Sequence, residues 1–532
     1  MQLRDGSFVF SPSDLNDFLE CEHLTALELA VARGELARPH RDDPQGDLIR
    51  RKGEEHEAAH LAALEADGLD IARIKLDDNW EAAAAATEQA MRAGADVVYQ
   101  AVVVDASGWR GIGDFLERQY DGSYEVADTK LARSAKPYFL LQLAFYSEQV
   151  GRIQGRLPDR MHVVLGTNER ASYRVRDFDA YYRRVRRRFL EWVADPPETY
   201  PYPVAHCPIC VWLERCTKQW EADDHLSLVA HMRRRWIDRL GEAGVTTLEE
   251  LAAAPEELQT ELRPEIYARL RRQAQLQHGH RLTEEHVFDL LPLVQGRGLE
   301  LLPRPSAGDV FFDIEGDPFY EPARGLEYLH GVVTLEDGEP TFRSFWALDQ
   351  AQERAAFEQL VDFVHERLAR YPDMHVYHYA HYEPSTLKRL MGEYGTREDE
   401  IDELLRREVF VDLFRVVEQS LRISYPRYGL KQVETFFMPP REEDVRAGDD
   451  SILVFEEWLE SGDGGLLEAI ERYNEFDCLG DLQVARVAAG APRRRRRRAL
   501  EGAADAAGGQ GGGRGGGRRT RAAEGGAARR GR

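Results

Sequence analysis

The stretch that most limits what this chain can fold into is residues 111–146, GIGDFLERQYDGSYEVADTKLARSAKPYFLLQLAFY. Asp121-Gly122 suits a tight turn, and the runs around it alternate apolar and polar residues. The pattern predicts two paired strands, with a helix starting after Pro137. Side chains along a strand alternate faces, so Asp128 and Lys130 share one, and Asp114 on the paired strand can meet them there. Two carboxylates and an ammonium together suit one or two divalent cations held by Asp114 and Asp128, with Lys130 beside a phosphate and the attacking water. Gln142 and Tyr146, four apart, fall on one face of the helix. Taken alone, Asp128 and Lys130 also fit an ordinary exposed strand pair.

A chain of 532 residues exceeds one core and predicts three or four units. The opening MQLRDGSFVFSPSDL lacks the apolar centre of a secretion signal, and no run of about 18 apolar residues suggests a membrane span, so a cytoplasmic protein without a membrane partner is expected. The net charge of -24 is unevenly spread: residues 493–532 carry 13 Arg against three acids. So acidic a body argues against a passive nucleic-acid coat. It fits an enzyme that gathers carboxylates around cations, provided basic strips such as Arg183, Arg184, Arg186, Arg187 and Arg188 meet the phosphates; a solvated helix face is the other reading of that strip. None of the seven lysines follows a glycine, which excludes a G-K-[ST] phosphate loop, so any motor acting with this chain is a separate protein.

Cys207, Cys210 and Cys216 form C-x2-C-x5-C, with Cys21 far upstream. In a cytosolic protein such a cluster points to a metal or iron-sulfur site rather than disulfides. Cys21 is the obvious fourth ligand for a cluster, and His206 could complete a zinc site instead. Cys21 is expected on an apolar-periodic helix within residues 11–36, and a second helix over 46–67 carries His56-Glu-Ala-Ala-His60, a match to the H-E-x-x-H helix of zinc proteases. No third ligand follows, which leaves a protease as an outside reading. A helix over 80–94, strands over 97–104, 109–117, 124–129 and 161–165, and an Arg-rich helix over 181–193 complete the first unit.

His56, Asp114, Asp128-Thr-Lys130 and Gln142-x3-Tyr146, bracketed by one early and three late cysteines, resemble the RecB/AddB-type PD-(D/E)XK nucleases, in particular their iron-sulfur branch. The resemblance implies that His56, Asp114 and Asp128 bind Mg²⁺ or Mn²⁺, that Lys130 assists the water, and that Gln142 and Tyr146 shape the site for a DNA end. It also implies a [4Fe-4S] cluster on Cys21, Cys207, Cys210 and Cys216, with Zn²⁺ as the alternative.

Residues 223–300 read as helical, with basic clusters at Arg233 to Arg235 and at Arg269, Arg271 and Arg272. Residues 240–251 look like a helix-hairpin-helix turn; a plain spacer is the bland alternative. A second chemical centre starts at Asp313-Ile-Glu315 on an apolar strand, continues with Glu383 at a helix start, and ends with Tyr473 and Asp477 four apart on a helix over 465–489. Four acids and a phenol are what two-metal phosphodiester hydrolysis requires.

This second set resembles the RNase H-like 3'-5' exonucleases of the DEDD type, the YprB-like branch, over about residues 303–490. That likeness includes Tyr428-Gly-Leu-Lys431 and assigns Asp313, Glu315, Glu383 and Asp477 to the metals and Tyr473 to the water. Glu383 stands where the pattern has Asp, and Asp412 is a substitute acid.

Together these features resemble a bacterial family of RecB-like nucleases whose longer members continue into a superfamily-I helicase. The implied architecture is α/β: a PD-(D/E)XK restriction-endonuclease-like domain at 1–222, a helical linker at 223–300 and an RNase H-like domain at 301–490. Residues 491–532, an Arg/Gly-rich run, are expected to be disordered. The expected substrate is DNA, at ends or single strands, with RNA open for the second site; a nucleic-acid-binding scaffold with inactive sites is the rival.

Overall fold

A computed structural model describes residues 1–4, 6–321, 323–441 and 448–508, with backbone alone at 449 and 491–508. At the Asp121-Gly122 turn, Gly122 takes φ +80° and Asp121 Oδ1 accepts from Ser123 N at 3.0 Å. The turn joins Arg110–Arg118 to Tyr124–Lys130, the middle of a six-stranded sheet. Across that sheet the order is Ile71–Arg73, Val97–Val104, Arg110–Arg118, Tyr124–Lys130, Arg160–Leu165 and Arg170–Arg174. Tyr124–Lys130 and Arg160–Leu165 are parallel, and helix Pro137–Gln154 is the crossover between them. It buries Phe139, Leu143 and Phe145 in the main core of this region with Val126 and Leu116.

Helix Pro44–Ala66, capped by Asp43 and opened by Pro44, packs on the opposite face, with Leu61 against Phe115 and Ala127. Cys21 is not within a helix as expected. It is an extended residue between helices Pro12–Glu20 and Glu22–Ala32, and its Sγ caps the second by accepting from Leu24 N at 3.4 Å. Helix Val175–Ala194 starts earlier than expected, and its basic strip is largely engaged within the protein. Arg186 bonds Glu148 at 2.8 Å and Asp105 at 3.0 Å, and Arg183 pairs with Asp179 at 2.6 Å.

Helices Arg234–Glu242, Leu248–Ala253 and Pro264–Thr283 enclose a small core of their own around Trp236, Leu240, Leu248, Leu251 and Leu270. Gly244 at φ +81° turns the chain between the first two, and Thr247 caps the second in a capping box with Glu250. The expected all-helical linker ends differently, because Phe288–Leu290 is a strand paired with Leu421–Ile423.

The second large sheet has five strands in the order Glu339–Trp346, Leu326–Glu336, Val310–Asp317, Val376–His378, Phe410–Asp412. The first three are antiparallel, and the last two run parallel to the central Val310–Asp317. Helices Gln350–Arg370, Tyr382–Tyr394 and Glu398–Arg406 cover one face. The last helix, Gly464–Gly508, covers the other through Cys478, Leu482 and Ala485. Its backbone runs past residue 490, where disorder was expected, because Ala489 to Ala507 is rich in the helix formers Ala and Arg. The remainder of that expected tail, 509–532, lies outside the described residues. The two large regions touch where Lys52 and Arg51 meet Glu456 at 2.9 Å and Glu460 at 2.5 Å. Among the described residues no helix is long and apolar enough to cross a membrane.

Candidate active sites

Asp313 and Glu315 leave the central strand on one face, and Gly331 lies directly across from Asp313. A Cβ on Gly331 would sit 1.6 Å from Asn474 Oδ1. Glycine there is what lets the last helix come against the sheet. Asn474 Nδ2 then donates to Asp313 Oδ2 at 2.8 Å, and Cys478 Sγ to Gly331 O at 3.3 Å. One turn along, Asp477 arrives beside the strand acids. Ligand oxygens of Asp313, Glu315 and Asp477 all lie within 4.8 Å of one another, the one such group among the described residues.

These acids lack enough positive charge. Burial, then Glu315 and Asp477, push Asp313 well above the usual carboxylate range. Burial also raises Glu315 to about 8 against the opposing hydrogen bond from Ser451 Oγ at 2.6 Å. Asp477 is raised by burial although Arg441, which also holds Glu434 at 2.7 and 2.8 Å, pairs with it. Clustered carboxylates that resist ionising together fit a divalent cation.

Tyr473 accepts from Lys431 Nζ at 2.9 Å, and burial followed by Asp477 and Glu315 drives its phenol far above its ordinary pKa. It therefore stays protonated, a donor rather than a base. Glu383 is buried in the first turn of its helix, outside the tight group, with His378 Nδ1 3.4 Å from Oε2. Its charge adds to the upward shifts of Asp313 and of Asp481. Asp481 is a buried carboxylate that the sequence reading missed, although its spacing of four from Asp477 put it on the same face. Lys431, Arg441 and Asn474 were also missed as site residues. Asp412 serves structure instead, its Oδ1 accepting from Ala380 N at 3.1 Å and Arg415 N at 3.3 Å.

In the first region, the pairing of Phe115 with Ala127 brings Asp114 across from Asp128. Asp128 is 1% exposed, with Lys130 Nζ 2.5 Å from Oδ2 and no hydrogen-bond partner for Oδ1. Burial and then Asp114 raise it well above the carboxylate range. Burial would lower Lys130, but Asp128 and Asp114 outweigh it and raise the ammonium. Asp114 Oδ2 is already occupied by Thr129 N at 2.8 Å and Oγ1 at 2.9 Å.

His56 does not join these acids in a tight group. Its ring is buried, and its Nε2 lies 3.3 Å from Val164 O on the strand beside Tyr124–Lys130. Glu57, next to it, is raised by burial and by Asp114 and accepts from Gln100, so it is a third carboxylate at this site. Tyr146 is 4% exposed and packs over Gly111 and Gly113, and Gln142 bonds its phenol, so Tyr146 holds the floor of the site rather than facing a DNA end. The H-E-x-x-H match has no zinc geometry: His60 sets its ring edge-on to Phe115 at 4.9 Å.

Cys21, Cys207, Cys210 and Cys216 line one small cavity together with His23 and His206. All four are free thiols. Burial, then its three neighbours, pushes Cys216 up to about 11. Trp212 ties this loop to the first helices by donating to Glu28 at 2.9 Å.

Residues 310–488 match the family model of the RNase H superfamily. That span runs from the central strand of the five-stranded sheet into the last helix and includes every acid of the second site. It is an RNase H-like domain, of the kind found in metal-dependent nucleases that hydrolyse phosphodiester bonds. No curated protein and no solved structure matches the chain.

Proposed function

We propose that this chain is a metal-dependent exonuclease acting on DNA at ends or single strands, with RNA as a second substrate of the RNase H-like site. The observation that carries the reading is the group Asp313, Glu315 and Asp477, whose ligand oxygens lie within 4.8 Å of each other. These three residues would hold Mg²⁺ or Mn²⁺, which supplies the Lewis acidity that phosphodiester hydrolysis needs. Asn474 fixes the Asp313 carboxylate and Ser451 that of Glu315. Tyr473, its oxygen already accepting from Lys431, has its own proton free to orient the attacking water. Glu383 serves a second cation in the manner of the DEDD, YprB-like exonucleases.

The first region is a second nuclease site of the RecB-like PD-(D/E)XK type. Its order of helix, three antiparallel strands, helix and parallel strand supports that reading, as does the buried Asp128 oxygen without a donor. Asp114 and Asp128 would share the cation with Glu57, and Lys130 would meet the phosphate. The four cysteines, which line one small cavity, would carry a [4Fe-4S] cluster, with Zn²⁺ as the alternative. Such a two-site enzyme belongs in the cytoplasm, in DNA repair or recombination, with a helicase supplying single strands.

End-labelled single-stranded DNA, duplex DNA and RNA, incubated with purified protein and Mn²⁺ or Mg²⁺, test the proposal. Stepwise shortening from one end supports it. Binding without cutting in either metal leaves the scaffold reading in its place.

A further inference from the structure

Helix Arg234–Glu242 begins against the usual electrostatic rule. The first turn of a helix favours acids, because its unpaired N-H groups carry partial positive charge. Here it holds no acid, and Arg233, Arg234 and Arg235 stand there, all exposed. Arg233 and Arg235 lie 4.9 and 5.7 Å from the Trp236 ring centre, and the exposed Arg269 of the neighbouring helix lies 5.5 Å from it. Arg234 covers Tyr202 at 4.4 Å. Among the described residues none of these four has an ion-pair partner. Arg183 and Arg186 of the other basic strip do have partners, whereas among the described residues this cluster has its charge uncompensated.

From these contacts we infer that Arg233, Arg235 and Arg269, gathered on Trp236, form a docking surface for the phosphate backbone of the nucleic acid that the second site cleaves. The inference rests on the nuclease reading of that site. A guanidinium held at an indole ring can keep N-H groups free for a phosphate oxygen, and all three of these arginines are exposed. The indole is 4% exposed, so bases cannot stack on it, and binding here is independent of sequence.

The surface also adjoins the chemistry. His231, two residues before Arg233, packs on Tyr428 with ring centres 5.3 Å apart. Three residues after Tyr428 comes Lys431, the donor to Tyr473. A strand lying on the guanidiniums is thereby next to the segment that leads into the acid cluster. In a chain of net charge -24, a polyanion needs such a place to land.

The test is fluorescence anisotropy of labelled single-stranded and duplex oligonucleotides on the full chain in EDTA, where no cutting occurs, over a range of KCl concentrations. The R233Q/R235Q/R269Q variant should bind about tenfold or more weakly, with the slope of log affinity against log salt smaller by about 2 to 3 on duplex. The matching triple Lys variant, which keeps the charge, should retain most of that slope. Circular dichroism and melting confirm that both are folded.

Wild-type affinity and slope in the Gln variant would overturn the inference, as would a wild-type protein that binds neither oligonucleotide. Hydrolysis of bis(p-nitrophenyl) phosphate, which carries a single phosphate, separates this from the nuclease reading. A wild-type protein inert on that ester and on every nucleic acid, whose oligonucleotide binding still falls in the Gln variant, would retain the surface and lose the nuclease.

Discussion

The two acidic sites use the same residue types and differ in how much of their charge is already answered within the protein. At the first, Asp114 takes two hydrogen bonds from Thr129, Asp128 has Lys130 against it, and His56 turns to Val164. At the second, three carboxylates crowd together, and Arg441 pairs with one of them, Asp477. The difference follows from construction. Two of the first site's acids, Asp114 and Asp128, lie on adjacent strands of one sheet, and the third, Glu57, comes from the helix that also carries His56. The second site's acids come from a strand and from a helix brought against it by Gly331. Among the described residues the second arrangement brings three ligand oxygens within 4.8 Å of one another, and the first does not.

The largest effect that sharpens this contrast is on catalysis. Asp313→Asn should lower second-site hydrolysis by about a thousandfold or more, since it removes a ligand shared by the whole group. The comparison breaks if Asp128→Asn abolishes all cutting of DNA and RNA while Asp313→Asn leaves it intact. Tyr473→Phe should cost about tenfold to a hundredfold in kcat with little change in KM, because a phenol that only orients water acts in the transition state.

Next in size is a pH effect. Glu315 in the folded protein titrates near 8, against about 4.5 unfolded, so between those values the folded state holds a proton that the unfolded state has lost. Stability of the metal-free protein should therefore fall as pH rises from 5 to 8, and Mn²⁺ should restore it most at the alkaline end. Calorimetric melting with and without Mn²⁺ reads this directly; a melting temperature that rises with pH in the metal-free protein would contradict it. The smallest effect belongs to the first site: Thr129→Val removes one of the two hydrogen bonds to Asp114, for about 1 kcal/mol of stability in denaturant unfolding.

Much of this was legible in the sequence because it is local. Turn chemistry at Asp121-Gly122, alternation around Asp128 and Asp313, and the spacing of Tyr473 from Asp477 are read within a few residues. What was not legible depends on how elements distant in sequence pack. His56 appeared beside Asp128 in the order of motifs, yet its Nε2 lies against Val164 O, outside any tight group with the acids. Arg183 and Arg186 looked available to phosphates; the i,i+4 partner Asp179 was readable, but Glu148 and Asp105 meet Arg186 only once the chain is folded. Asp481 carried a readable signal, the spacing of four, that pointed to no known motif and so went unused. Gly331 has no signal at all until the last helix is seen against it.

Cation binding at the second site is the property that every role assigned to its acids depends on. Titrating Mn²⁺ calorimetrically into metal-free protein at pH 7, in two buffers of different ionisation enthalpy, measures affinity and protons released together. The prediction is a binding event that releases protons in wild type and in Asp128→Asn, and that is lost in Asp313→Asn, because burial pushes Glu315 up to about 8 and Asp313 well above the carboxylate range until the cation arrives. Identical isotherms for wild type and Asp313→Asn would contradict it.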